Sequence, residues 1–211
     1  MDNDPRHRLA LRLAAPALPY LSVLLGLYLA DSALAAVTSY HAGIVLILLA
    51  AREPGLFARV RSGLCLPAAL LYGLPCVGAG AAIYLLWPAA ALDGAGLAQL
   101  MGGVGFRPEH IPAVAAYSIL VNPVLEEAFW RGFLGSPKRR PVLHDLLFAG
   151  YHCLVLIRFV EWPFAVAGTG CLALAAWAWR VLADRYGGLA IPIMGHLIAD
   201  AAVLAAVALR I

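Results

Sequence analysis

The stretch Asn122-Pro123-Val124-Leu125-Glu126-Glu127-Ala128-Phe129-Trp130-Arg131 sets two adjacent carboxylates and a guanidinium inside a run that is otherwise apolar from Ile111 to Leu134. One charged side chain at the centre of a membrane helix costs roughly 2.5–3.5 kcal/mol on insertion scales. Unpaired, Glu126, Glu127 and Arg131 would together cost on the order of 8–10 kcal/mol. That is comparable with the stability of a whole domain, about 5–15 kcal/mol. A fold that keeps these residues must pair them, hydrate them or use them.

The surrounding chain is a membrane sequence. Of 211 residues, 63% are hydrophobic and 13% charged, against about 25% charged in soluble proteins. The apolar runs are continuous rather than alternating, and helices satisfy their own backbone in lipid, so an all-α transmembrane bundle is expected, not a barrel. The net charge is +3, with basic residues scattered between hydrophobic runs. That pattern sets topology and gives no basic face for nucleic acid. Cys65, Cys76, Cys153 and Cys171 lie far apart with no C-x-x-C spacing, and read as small buried apolar residues rather than disulfide or metal ligands. The first apolar run carries no cleavage pattern and is expected to be retained.

Taken in order, the chain predicts a polar N-terminal stretch Met1–Arg12 and a first spanning run over about 13–36, with Asp31 near its outer end. A second, weaker run follows His41 to Ala51 and could be short, tilted or re-entrant. Asp31 and His41, each near a helix end, read as interfacial. A basic loop with Arg52, Arg59 and Arg61 leads to a third run over about 64–87, kinked by its Pro and Gly residues. Residues 88–110 are glycine-rich and read as a loop that could cover or gate a site. The fourth run, Ile111 to Leu134, should kink at Asn122-Pro123, one turn before Glu126. The fifth spans about 142–159, the sixth about 164–183 and the seventh 189–209.

An architecture of about seven (seven to eight) helices, forming one integral-membrane domain over 1–211, follows. With the N-terminus inside, Arg6, Arg8, Arg12, Arg52, Arg59, Arg61, Lys138, Arg139, Arg140, Arg180 and Arg185 fall on one side, and Arg107, Arg158 and Arg210 on the other. This agrees with the positive-inside rule. No internal repeat is visible.

Helical spacing gathers the polar residues onto faces. Glu127 and Arg131 are four apart and can pair; Glu126 is turned away by about 100°. Phe148 and His152, and His196 and Asp200, share the same spacing. Glu126 lies about 12 Å from the inner end of its run at 1.5 Å per residue. His152 and His196 fall about ten and seven residues into theirs. Three helices can therefore meet around one cavity.

The motifs Glu126-Glu127-x-x-x-Arg131, Phe148-x-x-x-His152 and His196-x-x-x-Asp200, in that order and each in a spanning run, resemble the CPBP family of intramembrane endopeptidases, of the CAAX-protease type. The resemblance covers roughly 111–209, which would be the catalytic core. The N-terminal half is similar only in being helical and hydrophobic. The resemblance implies peptide hydrolysis by an activated water and a stabilised oxyanion. Glu126 would be the general base, with His152 helping to hold the water. Glu127 would pair with Arg131 and hold the helix, and His196 with residue 200 would stabilise the oxyanion. The family often carries Asn at that last position, and this chain has Asp200. An ionised Asp cannot donate a hydrogen bond, so Asp200 must be protonated, orient His196 or ligate a cation. Glu126, His152 and His196 could alternatively hold zinc. The His-Glu-x-x-His motif is absent, and no cofactor is expected.

Each residue also has a plainer reading. Glu127 with Arg131 could be only a buried ion pair, and His152 a satisfied packing histidine. His196 with Asp200 could form an interhelical hydrogen-bond pair. His144 and Asp145 read as interfacial, and Trp130 and Phe148 as packing. The expected partners are the bilayer and a membrane-anchored protein or peptide cleaved near its C-terminus: a CAAX tail, a sorting tag or a bacteriocin-type peptide. A composition rich in Ala, Leu, Gly and Arg suggests a bacterial inner membrane and favours a tag or peptide over a prenylated tail. Two other functions stay open: a proton- or ion-coupled transporter, and a non-catalytic scaffold or immunity protein. The hydrolase reading requires Glu126 to lie within about 6 Å, two hydrogen-bond lengths, of the ring at 152 or at 196.

Overall fold

The computed structural model describes residues 5–211, so Met1–Asp4 of the expected polar stretch lie outside the described residues. The described chain is helical. Helices α1 (Pro5–Ala14) and α2 (Ala17–Val23, continuing as a π-helical turn Leu24–Leu29) form one apolar span, Arg6–Leu29, bent at Pro16. Helix α3 (Ala33–Ala51) is the second span, α5 (Leu66–Ala90) the third, α10 (Trp162–Arg185) and α11 (Ala190–Ala208) the last two. These are the five helices long and apolar enough to cross a membrane. The two remaining crossings expected from sequence are irregular. One is α7 (Ile111–Leu120) followed by α8 (Asn122–Glu127) and a π-helical turn Ala128–Phe133; the other is the short α9 (Leu143–Leu156).

The first two spans are divided differently from the expected 13–36 and 41–51. Asp31 adopts a left-handed φ of 43°, and the Ser32 side chain accepts the Ala35 N–H as an N-cap. The break therefore falls at Asp31–Ser32, and the second span is a full 19-residue helix. His41 consequently lies in the middle of α3 and is buried, not interfacial. Asp31 keeps its place at a helix end, paired with Arg158 at 2.8 Å.

The two ends of the bundle are built differently. At one end, α4 (Leu56–Arg61) lies under the π-helical turn: Arg59 donates to the Gly132 carbonyl at 3.2 Å and to the Arg131 carbonyl at 3.5 Å. These are the carbonyls that a helix end leaves without intrahelical partners. Arg180 is buried and grips Asp145 in a two-pronged contact of 2.9 and 2.8 Å. It also donates to the carbonyls of Ser136, Lys138 and Arg140. Asp145 in turn accepts the Val142 N–H at 2.9 Å. Asp145 is thus a buried anchor of the 134–142 loop, where sequence had placed it at an interface.

At the opposite end, residues 91–110 are more ordered than a loop. They hold a 3-10 turn (Leu92–Gly94) and α6 (Leu97–Gly102), with Leu97 and Val104 buried. The Ala33 N–H donates to the Val104 carbonyl and the Leu92 N–H to the Phe159 carbonyl. This segment covers the end marked by Asp31 and Arg158. Helix α9 runs between the two ends: His144 Nδ1 donates to the Leu134 carbonyl at 2.9 Å, and Val160 bridges Ala91.

In lipid, helices associate through close packing rather than apolar burial. Helix α5 packs along α11 at Gly73 and Gly80; a Cβ on Gly80 would lie 2.7 Å from the Ala202 carbonyl oxygen. The outward faces carry exposed Leu70, Leu71, Leu74 and Leu85. None of the cysteines is fully buried: Cys65, Cys76 and Cys153 are half-buried, Cys171 is exposed, and all are free. The expectation of buried cysteines is corrected to partly lipid-facing ones, which the apolar solvent tolerates.

Removing Arg180 leaves Asp145 buried without its partner, a loss of about 3–5 kcal/mol. Arg180→Ala should lower the thermal unfolding midpoint in detergent clearly, and Asp145→Leu/Arg180→Leu should recover part of the loss.

Candidate active site

Helix α7 ends at Leu120, and Val121, distorted to φ −107° but still in the right-handed region, joins it to α8, which opens at Asn122-Pro123. Proline has no N–H, so it suits the first turn of a new helix and interrupts an old one. The restart aims Glu126 and Glu127 into the bundle, with the π-helical turn behind them; such turns often accompany sites. Both carboxylates are fully buried.

Glu127 Oε1 receives two donors: Arg131 Nη1 at 3.0 Å and His196 Nδ1 at 2.9 Å. The pairing expected between residues 127 and 131 is present, and His196 joins it from α11. Arg131 Cζ sits 4.3 Å over the Phe148 ring and 5.4 Å from that of Trp179, so aromatic faces share its charge. Trp179 also stacks on His196, centroids 4.9 Å apart. Gly195 allows this, since a Cβ there would stand 2.9 Å from Trp179 Nε1.

Glu126 faces the other side of the ring. Its Oε2 lies 3.6 Å from His196 Nε2, inside the 6 Å limit, and has no hydrogen-bond partner among the described residues. Its Oε1 accepts the Tyr151 hydroxyl. His152 Nδ1 donates to the Phe148 carbonyl at 2.8 Å. A carbonyl only accepts, so Nδ1 carries the proton and a neutral His152 keeps a lone pair on Nε2. Its ring lies against Tyr151 at 4.1 Å and Phe148 at 4.7 Å.

Asp200 Oδ1 lies 3.6 Å from His196 Nε2, and Oδ2 accepts Asn122 Nδ2 at 2.9 Å. Asn122 Oδ1 in turn accepts His41 Nε2 at 2.9 Å, and the Tyr117 hydroxyl donates to His41 Nδ1 at 2.7 Å. Asn122, His152 and Asp200 are half-buried and form the rim of the site; Glu126, Glu127, Arg131 and His196 are its floor. No group of three or more His, Cys, Asp or Glu side chains is arranged as a metal-ligand set among the described residues.

Residues 108–202 match the family model described as type II CAAX prenyl endopeptidase Rce1-like. This match supports the CAAX-protease resemblance carried by the three motifs. No curated protein and no solved structure matches it. The match supports, in general terms, a CAAX-type endopeptidase, and together with the five long apolar helices among the described residues it supports a multi-pass membrane protein.

All seven residues of the motifs named from sequence lie inside the matched segment, and the fold brings them to one place. Tyr151, Asn122, Tyr117 and His41 join them without having been singled out for the site. Asn122 is four residues before Glu126, so the spacing that paired 127 with 131 could have flagged it. Tyr151 could have been found as a polar tip in an apolar helix that needs a partner. His41 lies outside the matched segment, and nothing in sequence ties it to residue 122.

In this Rce1-like site, Tyr151→Phe removes the donor on Glu126 Oε1. A hydrogen bond to a charged group is worth about 1.5–3 kcal/mol. Cleavage of any membrane peptide the wild type cuts should therefore slow by about tenfold or more.

Proposed function

We propose that the protein hydrolyses a peptide bond near the C-terminus of a membrane-anchored protein or peptide, using Glu126 to activate water. The observation that carries the reading is the meeting, in the membrane interior, of a buried carboxylate oxygen with no protein donor and an imidazole nitrogen 3.6 Å away. At 3.6 Å the two groups stand just beyond direct hydrogen bonding, so each is free to turn to a third group, Glu126 to a water and His196 to a carbonyl oxygen.

In the proposed reaction, water is held between Glu126 Oε2 and the lone pair of His152 Nε2. Glu126 takes its proton as the oxygen attacks the scissile carbonyl. The carbonyl electron pair moves onto oxygen, and His196 Nε2–H stabilises the oxyanion. His196 Nδ1–H is engaged with Glu127, so donation through Nε2 requires the ring to carry both protons. Glu127 at 2.9 Å, with Glu126 and Asp200 each at 3.6 Å, balances that charge. Glu126 then returns its proton to the leaving nitrogen as the C–N bond breaks. Glu127 and Arg131 take no part in proton transfer; they fix the ring and the helix. The reaction in this form uses no zinc.

The substrate would approach the half-buried rim at Asn122, His152 and Asp200. A CAAX-like tail, a sorting tag or a bacteriocin-type peptide each offers an extended C-terminal segment tethered to a membrane. The end holding Arg59, Arg139, Arg140 and Arg180 would be cytoplasmic by the positive-inside rule, in a bacterial inner membrane with the N-terminus inside. The transport and scaffold readings draw no support from the family match.

Glu126→Gln keeps the shape and loses the base. Cleavage of a membrane-anchored peptide, followed by mass spectrometry of the products, should fall by at least about 10²–10⁴-fold with normal membrane insertion. A chelator should leave the wild-type rate unchanged. Cleavage undiminished in Glu126→Gln would end the proposal.

A further inference from the structure

The carboxylate at position 200 leaves one requirement of the proposed chemistry unmet. An ionised Asp200 offers no N–H to an oxyanion, where relatives often place an amide. An amide is nevertheless present in this site, carried by a different helix. Asn122 Nδ2 lies 3.5 Å from His196 Nε2 and 2.9 Å from Asp200 Oδ2.

With Asp200 ionised, the orientation of that amide follows. Asp200 Oδ2 can only accept when ionised, so it requires the NH2 group to face it. His41 Nε2, at 2.9 Å, then donates to Asn122 Oδ1, and His41 Nδ1 accepts the Tyr117 hydroxyl. Turned over, the amide would set its carbonyl against the carboxylate. One N–H of Asn122 is taken by Asp200. The second lies on the side of His196, where the oxyanion would form.

Resting on the proteolytic reading above, we propose that Asn122 is the second oxyanion donor of this chain. The amide on α8 and the carboxylate on α11 divide the work: Asn122 gives the hydrogen bond, and Asp200 receives one and holds the donor in line. When water attacks and the carbonyl pair moves to oxygen, that oxygen accepts from both Asn122 Nδ2–H and His196 Nε2–H. Asn122 touches the reacting atoms and is a catalytic residue in this scheme. His41 and Tyr117 act through it and are positioning residues.

The test measures kcat and KM in vesicles on a membrane-anchored peptide, chosen from a C-terminally varied set by cleavage with the wild type. Asn122→Ala should lower kcat by about 10²–10³-fold with KM within about threefold, the usual effect of losing one oxyanion donor. Asn122→Asp should be at least as poor, because it brings a second acceptor to Asp200. The exchange Asn122→Asp/Asp200→Asn restores an amide beside His196 and keeps every charge, and should exceed Asn122→Asp by about tenfold or more. His41→Ala should lower kcat with KM unchanged. A kcat within threefold of wild type in Asn122→Ala, or an exchange variant no better than Asn122→Asp, overturns the assignment. If the alanine variant fails to fold, the near-isosteric exchange pair decides the matter. Glu126→Gln, run alongside, separates the two levels. Its inactivity beside an active Asn122→Ala removes only the donor assignment. Its full activity removes the proteolytic reading itself.

Discussion

The Glu127 carboxylate holds this site together. It is wholly buried and takes Arg131 from its own helix and His196 from α11 on the same oxygen. Breaking a buried pair by removing one partner typically costs 3–5 kcal/mol, because the other charge is left uncompensated. Here both partners depend on one oxygen. The contact also fixes which nitrogen of His196 faces its other neighbours: with Nδ1 given to Glu127, only Nε2 remains for Glu126 and Asp200. Glu127 thus takes up both partners, while the neighbouring Glu126 keeps Oε2 clear of protein donors among the described residues.

That arrangement depends on helices that are individually irregular. A straight helix from Ile111 to Leu134 would continue past Asn122, whereas the restart at Pro123 makes residues 122–127 a short helix of their own. Helix α9 covers only 14 residues, about 21 Å at 1.5 Å per residue, less than the roughly 30 Å of a bilayer core. Its start is set by Asp145 and Arg180, which collect the carbonyls of the preceding loop. Through that loop they set where His152 falls, although neither touches the site.

Much of this was legible in the sequence, and the reasons it was differ from residue to residue. Glu127 and Arg131 were readable because their pairing is local, one helical turn apart. His152 and His196 were readable because a lone imidazole in a spanning run needs an explanation, and three such runs supplied one together. Helical character and the basic end followed from hydropathy and from the arginines. Misreadings arose where the partner is distant in the chain. Asp145 looked interfacial because its cation lies 35 residues away on α10. His41 looked interfacial because hydropathy carries straight through Asp31 and Ser32, where an N-cap and a left-handed residue divide two helices. Residues 88–110 read as a loop because glycine content hides the end of α5 at Ala90 and the two buried anchors, Leu97 and Val104.

The N-terminal half is more than an anchor for the matched segment. Helix α3 lies wholly outside residues 108–202, yet it delivers His41 to Asn122 and places Tyr40 beside Tyr151, ring centroids 5.5 Å apart. Trp130 Nε1 donates to the Tyr40 hydroxyl at 2.9 Å, so the same helix also satisfies a buried indole. Each of these polar groups, left unpaired in the interior, would cost about 1–3 kcal/mol. The matched segment cannot satisfy them alone, because Asn122 Oδ1 and Trp130 Nε1 both point to α3. Two faces of α8 and its π-helical extension thus depend on one helix from the other half of the chain. Substitutions at residues 40 and 41 therefore act on the site through residues 130 and 122, although the motifs that define the family lie elsewhere.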